Sequence, residues 1–408
     1  MDTTLLIFLL VYVALAIGHL PGFLVDRTGA AVIGAFAMIA TARITDGQAW
    51  AAIDYRTIAL LFGLMVVSGG FVVSGFYGWL AARVALLKVG PAALLALLVL
   101  TGGVLSALLT NDVVVVAMTP LLVSITLSRG LNPVPFLLGF CFASNTGSAA
   151  TIIGSPQNMI VAQTLGLSFN GFLAAAFVPA ALSLPLVWGV IAFLYRGRWM
   201  RAPSAEAPAR ASVPRLDKAE TIKTLVVTLA VIVIFVTTDW PRDLVALAAA
   251  AVMLLNRTIA SKDVLKTVDG SLLLLLMGLF VVNAAFTETE LPQKAIAALA
   301  ASGFDLAQPM VLLGVVSVIS NIVGNNPAVM LVTPFLSHAA NPLAIGAALS
   351  LGTGFSSNLV IFGSLAGIIV VEQAAARRVR IGAAEFCRAG LPVTLASLAL
   401  AAAWVALM

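Results

Sequence analysis

Four stretches of this chain set Asn, Thr, Ser, Gly and Pro into otherwise apolar sequence. They are Thr110-Asn111-Asp112, Gly324-Asn325-Asn326-Pro327, Asn145-Thr146-Gly147-Ser148 running on to Gly154-Ser155-Pro156-Gln157-Asn158, and Gly352-Thr353-Gly354-Phe355-Ser356-Ser357-Asn358 running on to Gly363-Ser364. Where a helix breaks in such surroundings, its new N-terminus exposes N–H groups with a positive dipole end, and its old C-terminus exposes carbonyls. The first suits an anion or a polyol, the second a dehydrated Na⁺. Gly lets backbone approach a ligand, Pro156 and Pro327 help restart a helix, and the amides and hydroxyls supply uncharged donors and acceptors. From these breaks, substrate contacts are expected at Thr110, Asn111, Asp112, Ser155, Asn158, Asn325, Asn326 and Ser364. Coupling-ion contacts are expected at Asp112, Asn145, Ser357 and Asn358.

Asp112 differs from the rest. Of the 17 acidic residues it is the one that the topology below places deep in an apolar region. Glu288, Glu290 and Glu372 fall at helix ends. An ionised carboxylate at bilayer depth is costly, so Asp112 either carries a proton or sits beside a cation, the behaviour of an ion-coupling site. Motifs for phosphate-loop, zinc-protease or serine-hydrolase chemistry are absent from the sequence, and His19 and His338 fall in predicted interfacial loops. Cys141 and Cys387 form no ligand pattern and read as small packing residues.

The elements that hold these residues are membrane helices. Of the 408 residues, 61% are hydrophobic and 10% charged, against about 25% charged in soluble domains. Residues 130–195 and 306–371 contain no Asp, Glu, Lys or Arg. Such stretches cannot build a water-exposed surface, which excludes a soluble enzyme, a nucleic-acid binder and a disordered chain. Asp2 stands where a signal peptide wants a base, so the first apolar run is expected to remain as a membrane helix. At about 20 apolar residues per crossing, spans fall near 3–20, 28–42, 57–80, 135–166, 171–195, 221–238, 243–256, 271–288, 343–371 and 389–408. Regions 91–128 and 309–337 carry polar centres and read as re-entrant hairpins, while 135–166 and 343–371 read as broken helices.

Charge supports that topology. With the hydrophilic connection 196–220 cytoplasmic, only Arg43, Arg56, Arg242 and Lys294 of the 22 basic residues fall outside. Both termini are then external, in a multi-pass inner-membrane protein. Each half, 1–195 and 221–408, holds five crossings and one hairpin, in opposite orientations. Residues 60–68 and 275–283 agree at six of nine positions, and Asp54 precedes the first block at the distance at which Asp269 precedes the second. Asn111 with Thr119-Pro120 parallels Asn325 with Thr333-Pro334, and Gly154-Ser155 parallels Gly363-Ser364. Offsets of 215, 214 and 209 in order support an inverted repeat of the kind found in alternating-access transporters.

At Thr110-Asn111-Asp112-Val113, Thr119-Pro120-Leu121 and Asn145 through Asn158, the chain resembles the ion-transporter superfamily of arsenite-efflux membrane proteins and divalent anion:sodium symporters, which includes citrate transporters. The resemblance spans nearly the whole chain and is greatest to the arsenite-pump-like branch. It implies a homodimer in the lipid bilayer, a scaffold from the early helices of each half, and an elevator-like transport domain of hairpins and broken helices. It also implies a first cation site at Ser106, Thr110, Asn111 and Gly154, with a symmetry mate at Ser320, Asn325 and Gly363. The symporter branch has Thr where this chain has Asp112 and Asn326. An added negative charge disfavours a dicarboxylate unless protonated or cation-paired, and favours a neutral hydroxide such as arsenite, or a small inorganic anion.

The expected function is therefore secondary active transport of a small oxyanion, its neutral acid or an organic anion, coupled to H⁺ or Na⁺, with no other cofactor and no nucleic-acid partner. A soluble ATPase subunit, as arsenite pumps can use, is neither required nor excluded. A Na⁺/H⁺ antiporter centred on Asp112 is the alternative within the superfamily. An intramembrane hydrolase would need a Ser–His pair that peripheral histidines do not supply.

Overall fold

A computed structural model describes residues 2–20, 22–200, 216–336 and 340–408. His338 and residues 201–215 of the hydrophilic connection lie outside the described residues. Among those described the regular structure is helical, with no named strand. Seven helices are long and apolar enough to cross a bilayer, and five shorter apolar helices accompany them.

Helix starts follow from side chains at their first positions. Asp26, Asp54, Asp217 and Asp269 accept bonds from first-turn N–H groups. Pro91, Pro133, Pro156, Pro309 and Pro342 open helices where the missing N–H costs nothing. Outward-facing residues are apolar. Leu6, Leu9, Leu10, Val13 and Ile17 line one face of Thr3–Ile17, and Ile222, Leu225, Val226, Leu229 and Val233 repeat that spacing on Lys218–Thr237. Such stripes are unfavourable in water and neutral in lipid. Every residue of Pro133–Ser148 is buried, as are thirteen of the fifteen in Pro342–Ser356, so these two helices form the interior.

Helical geometry stops at four polar stretches. Pro91–Leu108 ends two residues before Asn111–Ser128 begins. Pro309–Val323 and Asn325–Val332 meet at Gly324, whose φ of 91° and ψ of 163° are open essentially to glycine alone. Pro133–Ser148 is followed by Pro156–Thr164, and Pro342–Ser356 by a short turn, Ile361–Gly363, and then Leu365–Ala375.

One expected span is corrected. Residues 57–80 are not a single helix: Tyr55–Val73 stops at Ser74, Gly75 turns the chain at φ 76°, and Phe76–Leu86 begins anew. The same event recurs 215 residues later, where Glu290 at φ 58° separates Gly270–Thr287 from Leu291–Ala301. The hydrophobic run hides the break at Gly75, because hydropathy continues through it while the backbone turns, whereas the polar run at 287–290 marks the second stop and the expected span already ended at 288. Lys218–Thr237 also begins inside the segment read as a linker.

The two halves interlock by exchange. Tyr55–Val73 packs on Arg242–Leu254, and Gly270–Thr287 on Arg27–Ala40. A methyl group on Gly63 would lie 2.6 Å from the Ala246 carbonyl, and one on Gly278 would lie 2.8 Å from that of Ala31. Both glycines and both alanines are 215 residues apart, so the same backbone-to-backbone crossing is made twice. Small residues permit this approach, which drives helix association in the absence of a hydrophobic gradient. Gly63→Ala or Gly278→Ala should destabilise the detergent-solubilised protein by about 1–3 kcal/mol through overpacking. Gly189→Ala and Gly314→Ala, where nothing lies within 4 Å, should not. Thermal melts of the four variants check this.

Candidate functional site

The breaks meet at one cavity of about 410 Å³, within the size range of small-molecule sites. Its wall is built largely from first turns of helices. Arg27 and Thr28 open Arg27–Ala40, and Asn111 and Asp112 open Asn111–Ser128. Pro156 and Gln157 open Pro156–Thr164, and Ser271 and Leu272 open Gly270–Thr287. Asn325, Asn326 and Pro327 open Asn325–Val332, and Leu365 opens Leu365–Ala375. Six helix N-termini therefore border a single space, each equivalent to about half a positive charge.

Their caps differ. Asp26 accepts from the Gly29 N–H at 2.8 Å, Asp269 from Leu272 at 3.0 Å, and Ser364 from Gly367 at 3.0 Å. The cap positions Thr110, Ser155 and Gly324 make no side-chain cap bond. The N-termini left open are thus those at the two helix-pair tips and at the first break, which leaves donors for a ligand.

Behind this wall the freed polar groups hold one another. The Asn111 N–H donates to the Gly154 carbonyl at 3.0 Å, tying the first tip to the first break. The Thr110 N–H reaches Ser68 Oγ at 3.3 Å, and Ser106 and Ser144 share a hydroxyl bond of 2.7 Å. Asn145 donates to Asn358 Oδ1 and Ser364 Oγ, both at 3.1 Å, and Asn358 donates to Thr146 Oγ1 at 3.3 Å. These bonds join the first break to the second. At the second tip, Ser320 donates to Asn325 Oδ1 at 2.6 Å, and Asn325 donates to Ser357 Oγ at 2.8 Å.

Of the expected substrate residues, Asn111, Asp112, Asn325, Asn326 and Ser364 line the cavity. Thr110, Ser155 and Asn158 stand behind it. Asn158 donates to the carbonyls of Ser148 at 2.9 Å and Thr151 at 2.8 Å, so its amide props the first break open. Of the expected ion residues, Ser106, Asn111 and Gly154 come together: a methyl on Gly154 would lie 2.8 Å from the Ser106 carbonyl. Ser320, Asn325 and Ser357 form a second group, with Gly363 against Ser357. Asn145 and Asn358 lie between the two groups.

Sequence reasoning missed Asp26, Arg27, Gln157 and Asp269 as lining residues, and set Glu372 aside as a helix end. Arg27 matters most. Its Nε and Nη2 are buried without a hydrogen-bond partner, and Nη1 would be 3.9 Å from a methyl group on Gly324 at the second tip. No carboxylate among the described residues pairs with it within 4.0 Å, although Asp26, Asp112, Asp269 and Glu372 border the same space. The available signal was its place: directly after a capping Asp, at the first position of a helix that the repeat pairs with Arg242. Counted only as a charge for topology, it looked solvated.

Comparison with known proteins agrees with this architecture. The family model described as citrate transporter matches residues 8–367. An uncharacterized transporter of Mycobacterium tuberculosis is 30% identical over 98% of this chain and 96% of its own. A silicon efflux transporter of Oryza sativa subsp. japonica is 35% identical over 40% of this chain and 33% of its own. Among solved structures, the YdaH transporter of Alcanivorax borkumensis superimposes with a TM-score of 0.62 at 16% identity, over 99% of this chain and 96% of that one, a likeness of fold. The chain belongs to the citrate transporter family of the ion-transporter superfamily, as a multi-pass membrane protein and a secondary transporter.

Proposed function

We propose that this chain carries a small anion, an oxyanion or a compact carboxylate, across the inner membrane by an elevator-like movement coupled to H⁺ or Na⁺. One observation carries the reading: six helix N-termini border one cavity, three of them lack a side-chain cap, and an unpaired guanidinium stands beside them. An anion would supply the missing acceptors. Arg27 tilts the choice towards a charged form of the substrate and away from a neutral hydroxide, since its guanidinium has no carboxylate of the described residues within 4.0 Å and a neutral ligand leaves it without a charged hydrogen-bond acceptor. The printed function of the rice relative, silicon efflux, keeps inorganic oxyacids within the substrate class to be tested.

In this reading Pro91–Leu108 with Asn111–Ser128, and Pro309–Val323 with Asn325–Val332, are re-entrant hairpins of inverted repeats 1–195 and 221–408, joined by the cytoplasmic segment 196–220. Both termini are external and the working unit is a homodimer. The exchanged packing of Gly63 on Ala246 and Gly278 on Ala31 supports the repeat. Each first-half hairpin helix is 18 residues, long enough to cross alone, so the return rests on the segregation of basic residues. The backbone turns at Gly75 and Glu290 then separate scaffold helices from the moving part, a place for the chain to flex.

Asp112 is the coupling residue of this scheme. It is buried at the cavity wall in the first turn of its helix, next in sequence to Asn111 of the Ser106–Asn111–Gly154 group, and a proton or Na⁺ would offset its charge there. The second ion position is the Ser320–Asn325–Ser357–Gly363 group. A sodium–proton antiporter would use Asp112 in the same way but has no use for Arg27.

Purified protein in proteoliposomes should take up citrate, sulfate or phosphate in response to an imposed pH or Na⁺ gradient. Na⁺/H⁺ exchange that proceeds without any of these anions would contradict the proposal. Asp112→Asn should leave the melting temperature near wild type while uptake no longer responds to the gradient. Asn325→Ala removes the side-chain hydrogen bonds to Ser320 and Ser357 at the second tip and should lower uptake about tenfold or more, read in the same assay.

A further inference from the structure

A second cavity of about 480 Å³ is lined by Arg56, Gln163, Pro241, Arg242, Asp243 and residues at the end of Lys218–Thr237. It is the counterpart of the first. Asp26, Arg27, Thr28 and Ser271 line the first cavity, and the residues paired with them at an offset of 215 are Pro241, Arg242, Asp243 and Arg56, which line the second. Both arginines occupy the first position of a helix, Arg27–Ala40 and Arg242–Leu254. The charge topology places Arg27 on the cytoplasmic side and Arg242 on the external side.

The two cavities differ in state. The first contains both hairpin tips, and its arginine has two unpartnered nitrogens. The second contains neither tip, and the Arg242 guanidinium donates to the Leu167 carbonyl. Leu167 follows Gly166, a positive-φ residue at 62° that ends the helix Pro156–Thr164, and its N–H bonds the Ala162 carbonyl at 2.9 Å. Val379 is built alike. It follows Arg378 at φ 61°, ends the turn after Leu365–Ala375, and bonds the Ala374 carbonyl at 2.9 Å.

We propose that Arg27 and Arg242 are paired anion-binding residues, one for each face of the membrane, that exchange roles as the carrier turns over. On the open face the arginine's donors are free and meet the anion beside the hairpin tips. On the shut face the arginine is latched to the carbonyl that ends the neighbouring broken helix. In the opposite state Arg242 is released towards the tips and Arg27 takes the Val379 carbonyl. The latch satisfies a guanidinium that would otherwise be buried unpaired, so neither state leaves both arginines without an acceptor. The ligand class is an anion with two or more oxygens, which a planar guanidinium can grip in bidentate fashion. This deepens the transport reading above and rests on it.

The test measures saturable flux of citrate, sulfate and phosphate in right-side-out and inside-out vesicles of cells expressing the full chain. The wild type is compared with Arg27→Gln, Arg27→Lys, Arg242→Gln and Arg242→Lys. Arg27→Gln should raise KM about tenfold to a hundredfold for anion offered from the cytoplasmic face, with little change from the external face. Arg242→Gln should do the reverse, and the lysine variants should restore part of the affinity. A structural role would instead lower Vmax equally from both faces. Equal effects on both faces, or unchanged KM on both, would overturn the pairing while leaving the transporter reading intact. A wild type that carries none of the three anions would overturn that reading and the pairing with it.

Discussion

Backbone polar groups set free inside an apolar interior must find partners, and the rest of this structure is arranged around that requirement. Where four helices stop among residues that water does not reach, each freed N–H and carbonyl costs several kcal/mol if left bare. The chain meets most of this cost internally. Gly154 accepts from Asn111, Asn158 bonds two carbonyls of its own break, and Asn145 bridges to Asn358 and Ser364. What it leaves open is concentrated at Thr110, Ser155 and Gly324, around one cavity. Under the proposed function, an anion beside Arg27 would complete these open ends.

The same solution is used twice, and that doubling links packing to motion. Glycine against an alanine carbonyl fixes the crossing of Tyr55–Val73 with Arg242–Leu254, and again that of Gly270–Thr287 with Arg27–Ala40. These crossings leave no room for a side chain, so they resist rearrangement. The breaks, by contrast, are held by hydrogen bonds among short polar side chains. In the proposed elevator-like movement, the rigid interlocked part and the hydrogen-bonded part would be the two bodies that shift, and halves of like construction would bring the two shifted states close in energy.

Much of this was legible in the sequence for a plain reason. Asn, Asp and Pro in the middle of an apolar run have no bland explanation, so the stretches around Asn111, Asn325, Asn145 and Asn358 declared themselves. The turn at Gly75 did not, because Ser-Gly beside apolar residues is common in continuous helices and hydropathy does not see φ, whereas the polar residues before Glu290 already ended the expected span at 288. Arg27 was hidden differently. Counting basic residues by side treats each as solvated, whereas a side chain at the first position of a helix can turn inward across its own N-terminus. Asn158 shows the reverse: a polar residue in a functional stretch whose amide is consumed in holding that stretch in shape. Residue type tells which groups need partners, and only geometry tells which partners are already present.

Transport as proposed depends on an anion completing the open helix ends beside Arg27. Crystals of the protein soaked in selenate offer the most direct measurement, because selenium can be located by its anomalous scattering. One peak is expected in the first cavity, within hydrogen-bond reach of the Arg27 guanidinium and of the N-termini at Asn111, Pro156 or Asn325. Selenate bound elsewhere with that cavity empty, or a cation occupying the position beside Arg27, would contradict it.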